Sequence, residues 1–318
     1  MISFDKRPLL RWAGRICALT LTLLLGPGAQ ASLRSETIYS LHTGQEITLT
    51  RLTREMTPGT VVILSEHHGN EHHHQHQIDF LLALRESLHK ESRISLGMEF
   101  LYFPDQAKVD DYLAGTLNEE AFLNQIKWGD IPFTLYRQQV HLPRTTGGRT
   151  LAINAPPWLT SKIAQQGLEA LTPREAQFLP PDFLLGEYQY FQRFSETMRE
   201  NHLRGEAVMR YFYAQSVWDD TMAWRAAEHM KSHPRDVLVI IVGDFHAIYG
   251  DGLPARLRAR GLQRVITVGQ VDLELYTPGE EDALLQPHPR WGARADYLWT
   301  SRSPKLDSAD SATANDQD

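Results

Sequence analysis

The chain has 318 residues, with 32 Lys and Arg against 39 Asp and Glu and a formal charge of −7. That balance supplies no basic surface for phosphate backbones or anionic lipid, so nucleic acid is not an expected partner. The one cysteine, Cys17, excludes a disulfide framework, and a chain this long can bury a full core without one.

The N-terminus reads as a secretory signal peptide over residues 1–31. Lys6, Arg7, Arg11 and Arg15 make a basic start, Ile16 to Leu25 is an apolar run too short for a membrane span, and Ala29-Gln30-Ala31 is a small-x-small cleavage pattern. Cleavage before Ser32 would leave 287 residues with no cysteine and a balance of −10. Cys17 precedes the apolar run, which is the wrong place for a lipid-modified cysteine at a cleavage site. The expectation is a protein exported to an oxidising compartment such as a bacterial periplasm and soluble after cleavage, with a retained N-terminal anchor as the alternative.

Beyond that segment, Glu46 to Leu52 alternates apolar and polar residues and predicts an edge strand or hairpin arm. Pro58-Gly59 turns into the buried strand Val61–Leu64, and apolar spacing from Ile78 to Leu88 predicts a helix from about Glu71 to Lys90. A second strand, Ile94–Met98, ends at Glu99. Helices follow over Asp105–Leu113 and Asn118–Ile126, broken at Gly115-Thr116. The strand Thr150–Ile153 ends at Asn154 before Pro156-Pro157. From Leu159 to His233 the chain turns largely helical. Thr172-Pro173-Arg174-Glu175 carries the signature of a helix start, and Glu206 to Lys231 reads as one long helix. Val237–Val242 is the longest apolar run after the signal and predicts a central parallel strand; the helix Pro254–Arg260 and the strand Val265–Val268 follow.

Strands alternating with helices imply an α/β fold, a mostly parallel sheet flanked by helices. The stretch between the third strand and Val237 is too long for one crossover, which suggests a smaller all-helical domain inserted in the sheet domain. The expected division gives 32–101, 148–158 and 235–300 to the sheet domain, 102–147 and 159–234 to the helical subdomain, and 301–318 to a disordered tail.

Four buried strands finish on polar residues: Glu66/His67/His68, Glu99, Asn154 and Asp244/His246. In a parallel sheet these ends share one rim, where ligands bind open α/β folds. Glu66, Glu99, His68 and His246 together could hold a divalent metal whose open position activates water, or form a metal-free acid/base set. The alternative for each residue is a strand-end group that caps a neighbouring helix. Ser65-Glu66-His67-His68 and Gly243-Asp244-Phe245-His246 share one form: apolar strand, small residue, acid, any residue, histidine. Six of the 14 histidines fall between positions 67 and 76. His68, His72 and His76 have the i, i+4 spacing of a zinc or copper site, but the favoured expectation for His72–His76 is a solvated helix start with incidental histidines.

These residues carry a resemblance. VVILSEHHGNEHHHQHQIDFLLAL, LGMEF followed by DQAKVDDYLAGTL, Trp128 and Tyr136, LAINAPP, AQSVWDDTMA and VGDFHAIYGDGLPARL together resemble the ChaN-like haem-binding uptake family of the Tiki superfamily, over roughly residues 60 to 270. The resemblance implies a parallel-sheet domain with a smaller helical domain, exported or anchored in the periplasm and binding haem in bacterial iron acquisition. It places the family's first signature on Ser65, Glu66 and His68, its central glutamate on Glu99, and its second histidine signature on Gly243 and His246. Ser65 stands where the family usually has glycine, and Pro157 where an arginine often follows Asn-Ala-Pro.

Haem needs an apolar slot, an axial ligand and partners for its propionates. The helical region offers Tyr188, Tyr190, Phe191, Phe194, Met209, Tyr211, Phe212 and Tyr213, with Tyr188 and Tyr190 the first candidates for an iron ligand and His68 a further cofactor contact. An aromatic stripe at helical spacing is also what a plain core looks like. No Cys-x-x-Cys-His is present, which excludes covalent haem attachment. The leading expectation is a periplasmic haem-binding protein in haem or iron uptake, with a homodimer and an outer-membrane haem receptor as possible partners. The alternative is a metal-dependent hydrolase or peptidase using Glu66, Glu99 and His246, and a third, weaker idea is a metal buffer built on His72–His76.

Overall fold

A computed structural model describes residues 33–200 and 203–304. The expected signal peptide and residues 305–318 of the expected tail lie outside the described residues. The strands are β1 (Thr37–Ser40), β2 (Glu46–Ile47), β3 (Val61–Glu66), β4 (Ile94–Tyr102), β5 (Thr150–Asn154), β6 (Val237–Gly243), β7 (Val265–Asp272) and β8 (Tyr297–Ser301). They form one sheet in the order β2-β1-β8-β7-β3-β6-β4-β5. From β8 to β5 every pairing is parallel, and β1 runs antiparallel to both β8 and β2.

Val61–Leu64 of β3 and Val237–Val242 of β6 are unbroken apolar runs because both sheet faces are covered there. Around them lie α1 (Leu49–Arg54), α2 (Glu71–Ser87), α3 (Gln106–Ala114), α4 (Glu119–Ile126), α5 (Arg137–His141), α6 (Pro157–Gln166), α7 (Tyr188–Glu200), α8 (Glu206–Ser232), α9 (Asp244–Ala247), α10 (Leu253–Ala259) and α11 (Pro278–Ala283). Val62 and Leu64 share one core with Phe80, Leu81 and Leu84 of α2 and with Val109 of α3, Phe122 of α4 and Val140 of α5. Val61 and Ile63 face the other core, with Met222, Ala223 and Ala226 of α8 and Leu253 and Leu257 of α10. Each fully buried Val, Leu, Ile, Phe or Met among these stabilises the fold by about 1.5–3 kcal/mol.

Local signals set most helix ends. The Asn70 side chain accepts from His73 N at 3.2 Å and opens α2; the Asn118 side chain accepts from Ala121 N at 2.8 Å and opens α4. Gly115, at φ 81°, closes α3 in the left-handed conformation at the expected break.

Three expectations are corrected. Only Glu46–Ile47 of the expected arm Glu46–Leu52 is strand, because Thr48 accepts from Arg51 N at 3.2 Å and caps α1 instead. At Thr172 the expected box of hydrogen bonds does close: Glu175 accepts from Thr172 N at 2.8 Å, and Thr172 Oγ1 accepts from Glu175 N at 3.3 Å. It leads only to a 3₁₀ turn at Ala176–Phe178, since Leu179 is held extended ahead of Pro180. The expected tail begins too early, because Ser301 pairs in β8. The packing does not establish a separate all-helical domain. α3 to α5 share the sheet's own core, whereas α6, α7 and the first half of α8 enclose smaller clusters around Leu159, Val217, Tyr190 and Phe212.

Candidate functional site

The carboxyl ends of the three central strands lie side by side. Glu66 of β3 is in register with Gly243 of β6, and β4 pairs with β6 as far as Met98, so Glu99 emerges at the same rim. The register of β4 against β5 shifts between Met98 and Tyr102, an irregularity of the kind that re-aims a side chain. A Cβ on Gly243 would lie 2.9 Å from His68 Nε2 and 3.4 Å from Glu99 Oε2, so glycine allows both groups to close over this strand end.

Two carboxylate–histidine pairs meet there. Glu66 is buried and accepts hydrogen bonds from His68 Nδ1 at 2.9 Å, from Gln77 Nε2 at 2.5 Å and from the Tyr136 hydroxyl. Three donors make a buried carboxylate tolerable. The His68 side chain is 39% exposed. Burial alone would lower its pKa, but the hydrogen bond it donates to Glu66 and the charges of Glu99 and Glu66 leave it raised. On the other side, His246 Nδ1 lies 2.6 Å from Asp219 Oδ1 of α8 and 3.0 Å from Gln215 Nε2, while its Nε2 faces Glu99 Oε1 at 3.4 Å. Desolvation opposes charge on this imidazole, yet Glu99 and Asp219 outweigh it and raise its pKa to about 10. Glu99 is correspondingly held low, at about 2, by His246, His68 and the Gly243 amide, which donates at 2.5 Å. His246 and Glu99 therefore form an ion pair at neutral pH.

Glu66, His68, Glu99 and His246 are thus brought together as expected. The two strand-end motifs nevertheless differ. Glu66 pairs with its own histidine, whereas Asp244 turns away, accepting from Ser65 Oγ at 2.8 Å and pairing with Arg294. Its place beside His246 is taken by Asp219. Asn154 stays out of the cluster; its Nδ2 donates to the Glu99 carbonyl at 2.9 Å. The divalent-metal site is not supported. Among the described residues no group of three or more His, Cys, Asp or Glu is placed to hold a metal ion, because these donors are turned into pairwise hydrogen bonds.

The histidine tract corrects a second expectation. His73, His74 and His76 are buried rather than solvated. His73 Nδ1 accepts from His67 N at 3.0 Å, His74 lies edge-on to Tyr136 at 4.4 Å, and His76 stacks on Trp299 at 4.2 Å with its Nε2 2.8 Å from Glu36 Oε2. Burial lowers the pKa of all three. They are core histidines.

The two candidate tyrosines part company. Tyr190 is fully buried, with the Arg193 and Arg256 guanidiniums 5.0 and 5.3 Å from the centre of its ring, and its hydroxyl donates to Asp219 Oδ2 at 2.6 Å. Tyr188, two residues earlier on α7, is 71% exposed. Leu185, Met209 and Trp158 are the other large exposed apolar side chains among the described residues. An accessible phenol is one of the groups that can serve as an axial ligand to haem iron. Of the two candidate tyrosines, Tyr188 alone presents one.

The residues not foreseen are Asp219, Gln215, Gln77, Tyr136 as a donor, and the pair Arg193–Asp251. Asp219-Asp220 did carry a signal: two adjacent acids in the apolar middle of a helix need buried partners. Asp219 finds His246, Tyr190 and Arg256; Asp220 finds Arg260, at 2.6 and 2.7 Å.

Fold and rim together define an α/β protein whose parallel sheet presents paired carboxylates and histidines at its carboxyl edge. The family model described as haem-binding uptake, Tiki superfamily, ChaN matches residues 52–257, and the chain belongs to that family. Among solved structures it is similar to the ChaN of Campylobacter jejuni, described as showing cofacial heme binding, at 16% identity and a TM-score of 0.61, covering 82% of this chain and 95% of that one. Weaker likenesses are the type III effector HopBA1, at 10% identity and a TM-score of 0.45 over 81% of this chain and 93% of that one, and a mutant of erythromycin esterase EreC, at 11% and 0.45 over 76% and 78%. No curated protein matches the sequence. No helix among the described residues is long and apolar enough to cross a membrane.

Proposed function

We propose that this chain is an exported, periplasmic haem-binding protein of bacterial haem or iron uptake, with Tyr188 as the iron ligand. The observation that carries the reading is a single exposed tyrosine on α7 in a chain of the haem-binding uptake family. Bound haem would supply an iron centre that a phenolate can ligate. Tyr190 drops out as a ligand because its hydroxyl is committed to Asp219. The partners proposed with this role are a second copy of the chain and a haem receptor of the outer membrane, and the 71% exposure of Tyr188 is compatible with the first. Titration of the purified chain with hemin tests the reading: a saturable Soret shift is expected, reduced at least tenfold in affinity by Tyr188→Phe. No saturable shift in the wild type would end it.

A second reading is favoured by one observation, the convergence of two acid-paired histidines over Gly243. The rim could carry out acid–base chemistry without a metal, with His68 moving the proton and the His246 imidazolium stabilising negative charge opposite Glu99. Turnover of a nitrophenyl ester lost in both Glu99→Gln and His246→Gln would support it; turnover unchanged in both would remove it.

A further inference from the structure

Tyr188 and Tyr190 are two residues apart on one helix, and at 3.6 residues per turn their side chains point about 200° apart. Whatever holds Tyr190 inside therefore aims Tyr188 outward. Tyr190 is held by polar contacts as well as by packing. Its hydroxyl donates to Asp219 Oδ2 at 2.6 Å; the other oxygen of Asp219 meets His246 Nδ1 at 2.6 Å; and His246 Nε2 faces Glu99 at 3.4 Å. One helical turn on, Arg193 ties α7 to the segment after β6, with Asp251 at 2.5 Å and the Phe245 carbonyl at 3.2 Å. The apolar part of the anchor is a small cluster of Tyr190, Phe194, Val208 and Phe212.

We infer that the rim cluster positions the haem tyrosine: Asp219 is a positioning residue that links the His246–Glu99 pair through Tyr190 to the first turn of α7 and so fixes the direction of Tyr188. The inference rests on Tyr188 being the haem ligand. It gives the buried carboxylate–histidine pair a role that involves no contact with haem. It also accounts for the burial of a tyrosine with its hydroxyl on a carboxylate so close to an exposed one.

The test is a hemin titration read by Soret absorbance and by the phenolate-to-iron charge-transfer band, on wild type, Tyr188→Phe, Tyr190→Phe, Asp219→Asn and Phe194→Leu. Tyr190→Phe keeps the ring and removes only the hydroxyl, so it reports even where Asp219→Asn fails to fold. The expected result is that Tyr190→Phe and Asp219→Asn weaken hemin binding about tenfold, as loss of groups that orient a ligand does, and shift the charge-transfer band. Phe194→Leu, which loosens the apolar part of the anchor and leaves the hydrogen-bond chain in place, should shift the band clearly less than Tyr190→Phe does. Wild-type affinity and an unmoved band in Tyr190→Phe would overturn the inference, as would a band shift of equal size in Phe194→Leu. The haem reading fails separately: there, the wild type itself does not bind.

Discussion

Two groups of histidines, one at the rim and one on α2, behave in opposite ways, although His68 of the first stands only five residues before His73 of the second. At the rim, His68 and His246 each have a carboxylate on Nδ1 and are held toward the charged form. On α2, His73, His74 and His76 are enclosed by the core, with Trp299 and Tyr136 against two of the rings, and are held toward the neutral form. His76 has Glu36 within hydrogen-bond reach and still keeps a lowered pKa, because its burial outweighs one half-exposed carboxylate. His246 has two carboxylates, and they outweigh its burial. The number of enclosed acids around an imidazole, more than the number of neighbouring histidines, decides whether it carries charge.

The sharpest way to break this contrast is to remove the acid that makes the rim different. Asp219→Ala leaves His246, Arg256 and the Tyr190 hydroxyl facing a void in the interior. Loss of one partner of a buried pair costs about 3–5 kcal/mol, and urea unfolding should show a loss of that size. A smaller effect separates the groups by pH. The lowered pKa values of His73, His74 and His76 mean that their unfolded forms take up protons first, so the stability they contribute is intact above the ordinary value of 6.5 and lost as pH falls below it. His246 has the opposite sign. Its contribution is fully present below 6.5 and is lost as pH rises through about 10. Urea unfolding from pH 5 to 11 should therefore fall off on both sides. His246→Gln should flatten the alkaline limb, and His76→Phe, which keeps a ring against Trp299, should make the acid limb shallower. An acid limb unaffected by His76→Phe, or an alkaline limb unaffected by His246→Gln, would show that the two classes are not distinct.

The sheet was legible where burial on both faces forces an unbroken apolar run, as in Val61–Leu64 and Val237–Val242. It was not legible at β1 and β8, which are four and five residues long and show neither an unbroken apolar run nor a clean alternation. Glu66, His68, Glu99 and His246 could be placed together because a parallel sheet brings its strand ends to one rim. Asp219 could not, because a helix can present any of its faces to the rim, and only the packing of α8 against β5, α6 and α10 selects one. The same motif pattern also misled. Asp244 stands in sequence where Glu66 does, yet Ser65 and Arg294 draw it away from His246. The histidine tract reads as polar from composition, whereas its core-facing positions are read only from the packing of Trp299 and Tyr136 upon it.

The most direct test of the account is the hemin titration of wild type, Tyr188→Phe and His76→Phe side by side. The account predicts saturable binding by wild type and His76→Phe, with a Soret shift that Tyr188→Phe largely loses. Binding that survives Tyr188→Phe, or that disappears in His76→Phe while the fold is retained, would contradict it.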